Sequence, residues 1–325
     1  MTIRGFLLGK FMPPHRGHQY LCDVALQLCD QLTILVCSID SEPIPGGSRA
    51  QWMRELYPQA RVLHCAEDLP QLPEDHPDFW QLWIDAIGRY HPESVQRVFA
   101  SEPYGAEIAR RLGANFIPVD LERIACPVSG TQIRSAPWSK WDAIVPPARP
   151  WFTRVVSLHG PESTGKTTLA TQLAAEFSTI LVPEYGRTYT QCFGQGCTAD
   201  DVLQIAQGQT AAIAAARNQA RGLVVTDTDA IMSAVWSEML TGRRDDWFES
   251  SAPTADLYLL TDIDIPWTDD GTRYFADPAQ RRRFSALCEA ELIRRGLSYI
   301  KISGNAQERF ERACAAIRDA FSKLL

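Results

Sequence analysis

The sequence predicts an α/β protein with two domains, each a parallel β-sheet flanked by helices. Strand-like and helix-like hydrophobic patterns alternate along the first 119 residues, and the alternation restarts at residue 154. Between these stretches, residues 137–150 hold two tryptophans and four prolines that fit no helical or strand period. We therefore place one domain at residues 1–147 and the other at residues 148–325. The length of 325 residues agrees with two domains of the usual size, about 100–200 residues each.

The first domain opens on a β-α-β pattern. An apolar run over residues 3–11 predicts a strand, and the apolar residues of 17–29 share one helical face. Ser48 is an N-cap residue type at the start of a later helix, and apolar residues at helical spacing follow Asp78. The remaining elements are predicted strands at residues 32–39, 61–65, 95–100 and 115–119.

The second domain repeats this alternation around a continuous apolar strand at residues 223–226. Its other predicted strands cover residues 154–158, 179–182, 256–261 and 298–302. Its predicted helices cover residues 166–177, 199–221, 278–295 and 306–325. Alternation of this kind implies a parallel sheet with helices on both faces.

Composition excludes several classes of protein. With 45% hydrophobic and 22% charged residues, the chain has enough apolar surface to fold, which argues against intrinsic disorder. A net charge of -7 disfavours nonspecific binding to nucleic acid. No apolar run approaches about 18 residues, so we expect neither a signal peptide nor membrane insertion. Nine scattered cysteines without a Cys-x-x-Cys pair indicate reduced thiols and a cytoplasmic location, and the sequence leaves homo-oligomer formation open.

The strongest motif is a phosphate-binding loop in the second domain. Residues 160–168 read G-P-E-S-T-G-K-T-T, which satisfies G-x-x-x-x-G-K-[ST] between a predicted strand and a predicted helix. In such a loop the backbone amides surround a nucleoside triphosphate, the lysine reaches its β- and γ-phosphates, and the next hydroxyl binds Mg²⁺. We therefore predict Lys166 as a catalytic residue and Thr167 as a metal ligand. The expected nucleotide-binding residues are Gly160, Glu162, Ser163, Thr164, Gly165, Lys166, Thr167 and Thr168.

A P-loop site also needs a carboxylate at the end of a neighbouring strand to hold the water shell of the metal. Asp227 directly follows the predicted strand at 223–226 and is the expected metal partner. Asp229 fits either a catalytic role or the N-cap of the next helix. An arginine would stabilise charge on the transferred phosphoryl group, and Arg273 is the candidate. The arginine run at 281–283 fits either a lid or a solvated helix face.

The first domain carries two further anion-binding motifs. Residues 9–18 read G-K-F-M-P-P-H-R-G-H, which places His15 and His18 at the start of a helix, where Gly17 lets a phosphate approach the backbone. Two histidines so close together make a poor zinc site, so phosphate binding is favoured. Residues 127–134 read P-V-S-G-T-Q-I-R and offer hydroxyls, a turn glycine and Arg134 at the start of a second helix.

The pairing of G-K-F-M-P-P-H-R-G-H with S-G-T-Q-I-R resembles the nucleotidyltransferase superfamily. With G-P-E-S-T-G-K-T-T behind it, the order of motifs over essentially the whole chain is similar to the NadR-type family. Its members join a nicotinamide mononucleotide adenylyltransferase to a ribosylnicotinamide kinase. The stretches S-E-P-Y-G, P-E-Y-G-R, T-D-T-D and P-W-T-D-D-G agree as well. Some members add an N-terminal helix-turn-helix repressor domain, which we do not expect here because the sequence starts at the first predicted strand.

The resemblance implies a Rossmann-like nucleotidyltransferase fold followed by a P-loop kinase fold. The second domain would phosphorylate nicotinamide riboside with ATP and Mg²⁺. The first would transfer an adenylyl group from ATP to nicotinamide mononucleotide, which yields NAD and pyrophosphate. These four small molecules are the expected partners: nicotinamide riboside, nicotinamide mononucleotide, ATP and NAD. The residues suited to adenylyl transfer are Lys10, His15, His18 and Arg134 in catalysis, with Gly9, Phe11, Gly17, Ser129 and Thr131 in binding.

The kinase step needs a carboxylate to orient or deprotonate a sugar hydroxyl, and the candidates are Asp229 and Glu184. A cationic nicotinamide ring favours an aromatic face with a carboxylate nearby. The predicted substrate-binding residues are Trp83 in the first domain and Tyr185, Arg187, Trp267 and Asp269 in the second. Trp83 also fits a core position, because its spacing is helical. Two other functions stay open: an adenylyltransferase with a different acceptor, and a nucleotide-sensing regulator with an inactive first domain.

Overall fold

The computed structural model describes residues 2–269, 271 and 273–324. They form two compact units, of which the first ends at Arg149 and the second begins at Pro150. Each unit holds one five-stranded sheet whose neighbouring strands are parallel. The predicted fold class is therefore confirmed. No helix within the described ranges is both long enough and apolar enough to span a membrane.

The first unit has the strand order β3-β2-β1-β4-β5, so its first strand is central. Successive residues of this strand pack on opposite faces: Phe6 contacts the cluster that holds Leu35, and Leu7 contacts the cluster that holds Ile34. Burial on both faces explains why the strand reads as a continuous apolar run. The elements are β1 (Arg4–Gly9), α1 (Arg16–Leu28), β2 (Gln31–Cys37), α2 (Gly46–Leu56), β3 (Arg61–Cys65), α3 (Phe79–Tyr90), β4 (Arg97–Ala100), α4 (Tyr104–Leu112), β5 (Asn115–Pro118) and α5 (Gly130–Ser135).

The second unit has the strand order β10-β9-β6-β8-β7, again with its first strand in the centre. The short helix α6 (Arg149–Phe152) lies at the boundary between the two units. The other elements are β6 (Arg154–His159), α7 (Lys166–Glu176), β7 (Ile180–Val182), α8 (Tyr185–Phe193), α9 (Ala199–Gln219), β8 (Leu223–Asp227), α10 (Ala230–Thr241), α11 (Trp247–Ser250), β9 (Leu257–Thr261), α12 (Pro278–Arg294), β10 (Tyr299–Ile302) and α13 (Ala306–Ala320).

The structure differs from the sequence-based elements at a few places. Helix α2 begins at Gly46 rather than after Ser48, and no side chain caps it because its N-cap residue is Pro45, which has no side-chain acceptor. Helix α10 was missed because consecutive residues from Ala230 to Val235 are all buried, which removes the amphipathic period. Helices α4 and α8 were missed as well. The proline-rich stretch at 137–150 is no open spacer, since Trp141 and Ala148 are buried in it.

Candidate active sites

Two motifs that lie far apart in the sequence converge on one cavity of the first unit. This cavity, of about 710 Å³, is lined by residues near the carboxyl ends of all five strands, which a parallel sheet brings to one edge. Arg134 joins the motifs, because its guanidinium donates to the carbonyl of Met12 at 2.5 Å and to the hydroxyl of Thr131 at 3.2 Å. All the residues predicted for this unit line the cavity: Gly9, Lys10, Phe11, His15, Gly17, His18, Trp83, Ser129, Thr131 and Arg134.

His15 and His18 form a stacked pair at the N-terminus of α1. Their ring centroids lie 3.8 Å apart, and the ring of Phe11 lies 4.8 Å from that of His18. His15 is the N-cap residue, since its Nδ1 accepts a hydrogen bond from the backbone N–H of Gly17 at 3.1 Å. In a neutral imidazole this leaves the proton on Nε2. A Cβ at position 17 would come within 3.1 Å of the His15 ring, so glycine permits the contact.

Burial keeps both imidazoles uncharged near neutral pH. Loss of solvent, together with the positive charge of Arg123, lowers the pKa of His15 to about 4. Burial, His15 and Arg123 together hold the pKa of His18 well below its usual value. Neutral imidazoles bind phosphate as hydrogen-bond donors, so the positive charge in this cavity comes from its lysine and arginine side chains.

Lys10 is held by a buried charge network that the sequence did not reveal. Arg49 is 0% exposed and donates to the backbone carbonyl of Lys10 at 2.6 Å. Glu42 bridges the two cations, at 2.5 Å from Arg49 and 2.9 Å from the ammonium of Lys10. Burial alone would raise the pKa of Glu42, but hydrogen bonds from Lys10 and Arg49 bring it below its ordinary value. The network fixes the backbone and the ammonium of Lys10 just beyond β1.

Two further cavity residues were missed by sequence reasoning. Arg123 lies in the loop after β5 and donates to Glu102 at 3.1 Å, and no local pattern marked it. Trp80 also lines the cavity and lies three residues before Trp83 on α3. Residues three apart share one face of a helix, so this spacing could have indicated Trp80 from the sequence. Trp83 is half-buried and donates its indole N–H to the carbonyl of Pro70 at 2.9 Å. It therefore both packs and lines the cavity.

The P-loop of the second unit lines a cavity of about 430 Å³. Lys166, the first residue of α7, is buried and donates to the carbonyl of Pro161 at 2.7 Å, within its own loop. Gly165 precedes it with φ of 80°, a left-handed conformation that favours glycine. Predicted residues that line this cavity are Glu162, Ser163, Thr164, Gly165, Lys166, Thr167, Thr168, Glu184, Arg187 and Arg273.

Thr167 and Asp227 fit a magnesium site. The Thr167 hydroxyl donates to Oδ2 of Asp227 at 2.5 Å, and Oδ1 of Asp227 is buried without a hydrogen-bond partner among the described residues. A buried, unsatisfied carboxylate oxygen is costly unless a cation or a bound water approaches it. Hydroxyl, carboxylate and water oxygens are the ligands that Mg²⁺ prefers. Nowhere in the described ranges do three or more His, Cys, Asp or Glu side chains gather as a metal cluster.

The two carboxylates proposed for the kinase step have different environments. Asp229 is 2% exposed and is the N-cap of α10: Oδ1 accepts from the amides of Ile231 and Met232 at 3.0 and 3.1 Å. Its Oδ2 accepts from the hydroxyl of Tyr258 at 2.6 Å. Both oxygens are engaged in the fold, which is the geometry of the capping alternative, and Asp229 is not among the residues that line the cavity. Glu184 lines the cavity, and burial raises its pKa.

Several predicted contacts of the second unit lie elsewhere. The cavity lining does not include Tyr185, Trp267, Asp269, Gly160 or Asp227, although Asp227 accepts a hydrogen bond from the lining residue Thr167. The ring of Tyr185 packs on Gly208 of α9, where a Cβ would come within 2.6 Å of it. Asp269 accepts from the amide of Gly271 at 2.9 Å in an exposed turn. Trp267 is half-buried, and Asp270 of the same motif lies outside the described residues.

Two P-loop side chains hold the loop that leads to Arg273. Ser163 accepts from the amide of Thr268 at 2.8 Å. Glu162 accepts from the amide of Phe275 at 2.7 Å and from that of Tyr274 at 3.0 Å. Both side chains therefore bind backbone amides of the protein in this structure.

Comparison with known proteins finds relatives that match nearly the whole chain and others that match one half of it. A family model described as an AAA domain matches residues 155–309. The trifunctional NAD biosynthesis/regulator protein NadR of Escherichia coli (strain K12) is 26% identical over 338 residues, which cover 97% of this chain and 82% of that protein. The nicotinamide-nucleotide adenylyltransferase of Methanospirillum hungatei JF-1 is 26% identical over 149 residues, which cover 45% of this chain and 84% of that protein.

One solved structure shares the fold over nearly the full length. It is described as NadR protein in complex with NR, and it superposes with a TM-score of 0.82 at 24% identity. The superposition covers 98% of this chain and 96% of the other. The fold of the two α/β units, in this order along the chain, therefore occurs in a solved structure.

Proposed function

The chain is a homologue of the NadR-type proteins, and from that premise we propose that it is a bifunctional transferase of NAD biosynthesis. The second unit phosphorylates nicotinamide riboside with ATP, and the first joins the product, nicotinamide mononucleotide, to the adenylyl group of ATP. The observation that carries the proposal is the convergence of the two anion motifs of the first unit on one cavity, where Arg134 donates to Met12 across 122 positions of sequence. The nine cysteines are all free thiols, which supports a reducing compartment such as the cytoplasm.

Adenylyl transfer mainly requires that the two substrates are positioned and that the negative charge of their phosphates is neutralised. A phosphate oxygen of the mononucleotide attacks the α-phosphorus of ATP, and the bond to pyrophosphate breaks. The nucleophile is already an anion, so the step needs no strong base. We assign Lys10 and Arg134 to neutralise the phosphates and the Nε2–H of His15 to donate a hydrogen bond. His18, stacked on His15, completes the donor set.

Phosphoryl transfer in the second unit needs a base for a sugar hydroxyl. We assign Glu184 to this role, because it lines the P-loop cavity and burial raises its pKa toward the working range of a general base. The hydroxyl proton passes to Glu184 as the oxygen attacks the γ-phosphorus, and ADP leaves. Lys166, Arg187 and Arg273 supply positive charge around the transferred group. Mg²⁺, held by Thr167 and Asp227, would supply charge neutralisation of the phosphates when bound.

One assay tests the proposal. Purified protein is incubated with Mg·ATP and nicotinamide riboside, and the pyridine products are separated by chromatography. We expect nicotinamide mononucleotide first and NAD after it. If neither product forms, the proposal is wrong. Mononucleotide without NAD, even when mononucleotide is supplied directly, would favour an adenylyltransferase with another acceptor or a first unit that only senses nucleotides.

A further inference from the structure

Glu162 places a carboxylate in the loop proposed to bind a triphosphate. A carboxylate there repels phosphate, and this side chain is only 7% exposed. Its charge is balanced by backbone: Oε1 accepts from the amide of Phe275 at 2.7 Å and from that of Tyr274 at 3.0 Å. Its Oε2 lies 3.1 Å from the same Tyr274 nitrogen. The carboxylate is thus directed at one short segment of backbone.

That segment carries Arg273 into the cavity. Arg273 directly precedes Tyr274 and lines the cavity with Lys166 and Glu184. Behind it, the ring of Phe275 is buried, with its centroid 5.5 Å from that of Phe284 on α12. The segment is therefore fixed on one side by the P-loop carboxylate and on the other by an aromatic cluster.

We infer that Glu162 is a positioning residue that holds Arg273 at the phosphoryl-transfer site. The inference rests on the proposed kinase function. The guanidinium can stabilise charge on the transferred group only if its backbone is set at the right distance before reaction. Two amide hydrogen bonds to a carboxylate fix that distance to the same loop that cradles the phosphates. Glu162 itself acts through Arg273.

The kinetic test uses Glu162→Ala, Glu162→Gln and Arg273→Ala in the full chain. We expect Glu162→Ala to lower the kcat of phosphorylation about 10- to 100-fold, with a smaller change in the KM for ATP. The kcat of Glu162→Gln should lie between those of Glu162→Ala and the wild type, because the glutamine amide oxygen can still accept from both backbone amides. The double variant Glu162→Ala/Arg273→Ala should be no slower than Arg273→Ala alone. Glu311→Ala, on the exposed face of α13, is the matched control and should match the wild type.

A second measurement detects the contact between Glu162 and the backbone of Tyr274 and Phe275 independently of enzyme activity. Hydrogen exchange of peptides that contain Tyr274 and Phe275 should speed up in Glu162→Ala, and adenylyl transfer by the same sample should stay at the wild-type rate. Unchanged exchange, or losses that add in the double variant, would overturn the positioning role while leaving the kinase function in place. A wild-type protein that phosphorylates no nicotinamide riboside would overturn both.

Discussion

Thr167 and Asp227 are joined by a 2.5 Å hydrogen bond that spans two neighbouring elements, the start of α7 and the end of β8. The hydroxyl satisfies one carboxylate oxygen, and the other is buried without a partner in the described part of the chain. This pair is the structural basis of the proposed magnesium site, and it leads to the first prediction.

Asp227→Asn should raise the Mg²⁺ concentration needed for half-maximal phosphorylation about 10- to 100-fold, because it removes charge next to the metal. The measurement is a Mg²⁺ titration of ADP release with nicotinamide riboside as acceptor. Adenylyl transfer by the same variant serves as the control and should show the wild-type Mg²⁺ dependence. An unchanged titration of the kinase reaction would exclude Asp227 from the metal site.

Lys166→Ala and His18→Ala should separate the two activities. Removal of the Lys166 ammonium should lower phosphorylation about 100-fold or more and leave adenylyl transfer intact. His18→Ala should do the reverse, since its imidazole lines the other cavity. Both reactions are followed by chromatography from their own starting substrates. Loss of both activities in a variant that is still folded by circular dichroism would contradict two autonomous sites.

The two carboxylates of the second unit should respond differently to substitution. Glu184→Gln should lower the kcat of phosphorylation about 100-fold or more, with little change in stability. Asp229→Ala should instead lower the free energy of unfolding of this unit by about 2–4 kcal/mol, because a helix cap is lost and the buried Tyr258 hydroxyl loses its acceptor. Kinetics and urea unfolding measure the two effects. An Asp229→Ala protein that is as stable as the wild type but does not phosphorylate nicotinamide riboside would instead support a catalytic role for Asp229.

This contrast shows what the sequence could and could not predict. The P-loop and the His15/His18 motif are contiguous, so their residue types and spacing indicated phosphate sites directly. The sequence did not show which of Asp229 and Glu184 lines the cavity, because Asp229 is held by the hydroxyl of Tyr258, 29 residues away. Arg49 is equally non-local, since it contacts Lys10 across 39 positions. Glu162 fitted the motif, but its partners at 274 and 275 are more than 100 positions away.

Gly130 should tolerate no side chain. A Cβ there would come within 2.5 Å of the carbonyl oxygen of Met12, the same atom that accepts from Arg134. Gly130→Ala should therefore separate the two motifs and lower adenylyl transfer about 10- to 100-fold.

Gly88→Ala is the matched control for that variant. Gly88 lies in helix α3 with open space around its Cα, so alanine should be neutral or stabilise the helix by about 0.5–1 kcal/mol. Initial rates and thermal unfolding distinguish the two variants. Equal activity in Gly130→Ala and the wild type would show that the contact with Met12 does not matter to the site.

The first unit should lose stability in acid because of its buried histidines. The folded pKa of His15 is about 4, below the value of about 6.5 expected in the unfolded chain. Between these two values the unfolded chain binds more protons, so the free energy of unfolding decreases as the pH falls from about 6.5 to about 4. His18 acts in the same direction.

Replacement of His15 with asparagine tests this pH dependence. Asn keeps a cap acceptor for the amide of Gly17 but does not titrate. The slope of stability against pH over this range should be shallower in His15→Asn than in the wild type. Hydrogen exchange of peptides from α1 is measured between pH 4 and 7 and corrected for intrinsic exchange. It reports the stability of the first unit separately from that of the second. Identical slopes would show that the His15 pKa is not depressed by folding.

The complete burial of Arg49 has a consequence for anyone who wishes to redesign the first cavity. Lys10 lines the cavity, yet its placement is determined by Glu42 and by Arg49, whose side chain lies in the folded interior. Loss of Glu42 would leave the buried charge of Arg49 uncompensated, which typically costs about 3–5 kcal/mol. A library that aims at a new acceptor should therefore vary the aromatic wall around Trp80 and Trp83 and leave Glu42 and Arg49 fixed. The proposed catalytic charge and the stability of the first unit depend on one connected network there, so selection for one also acts on the other.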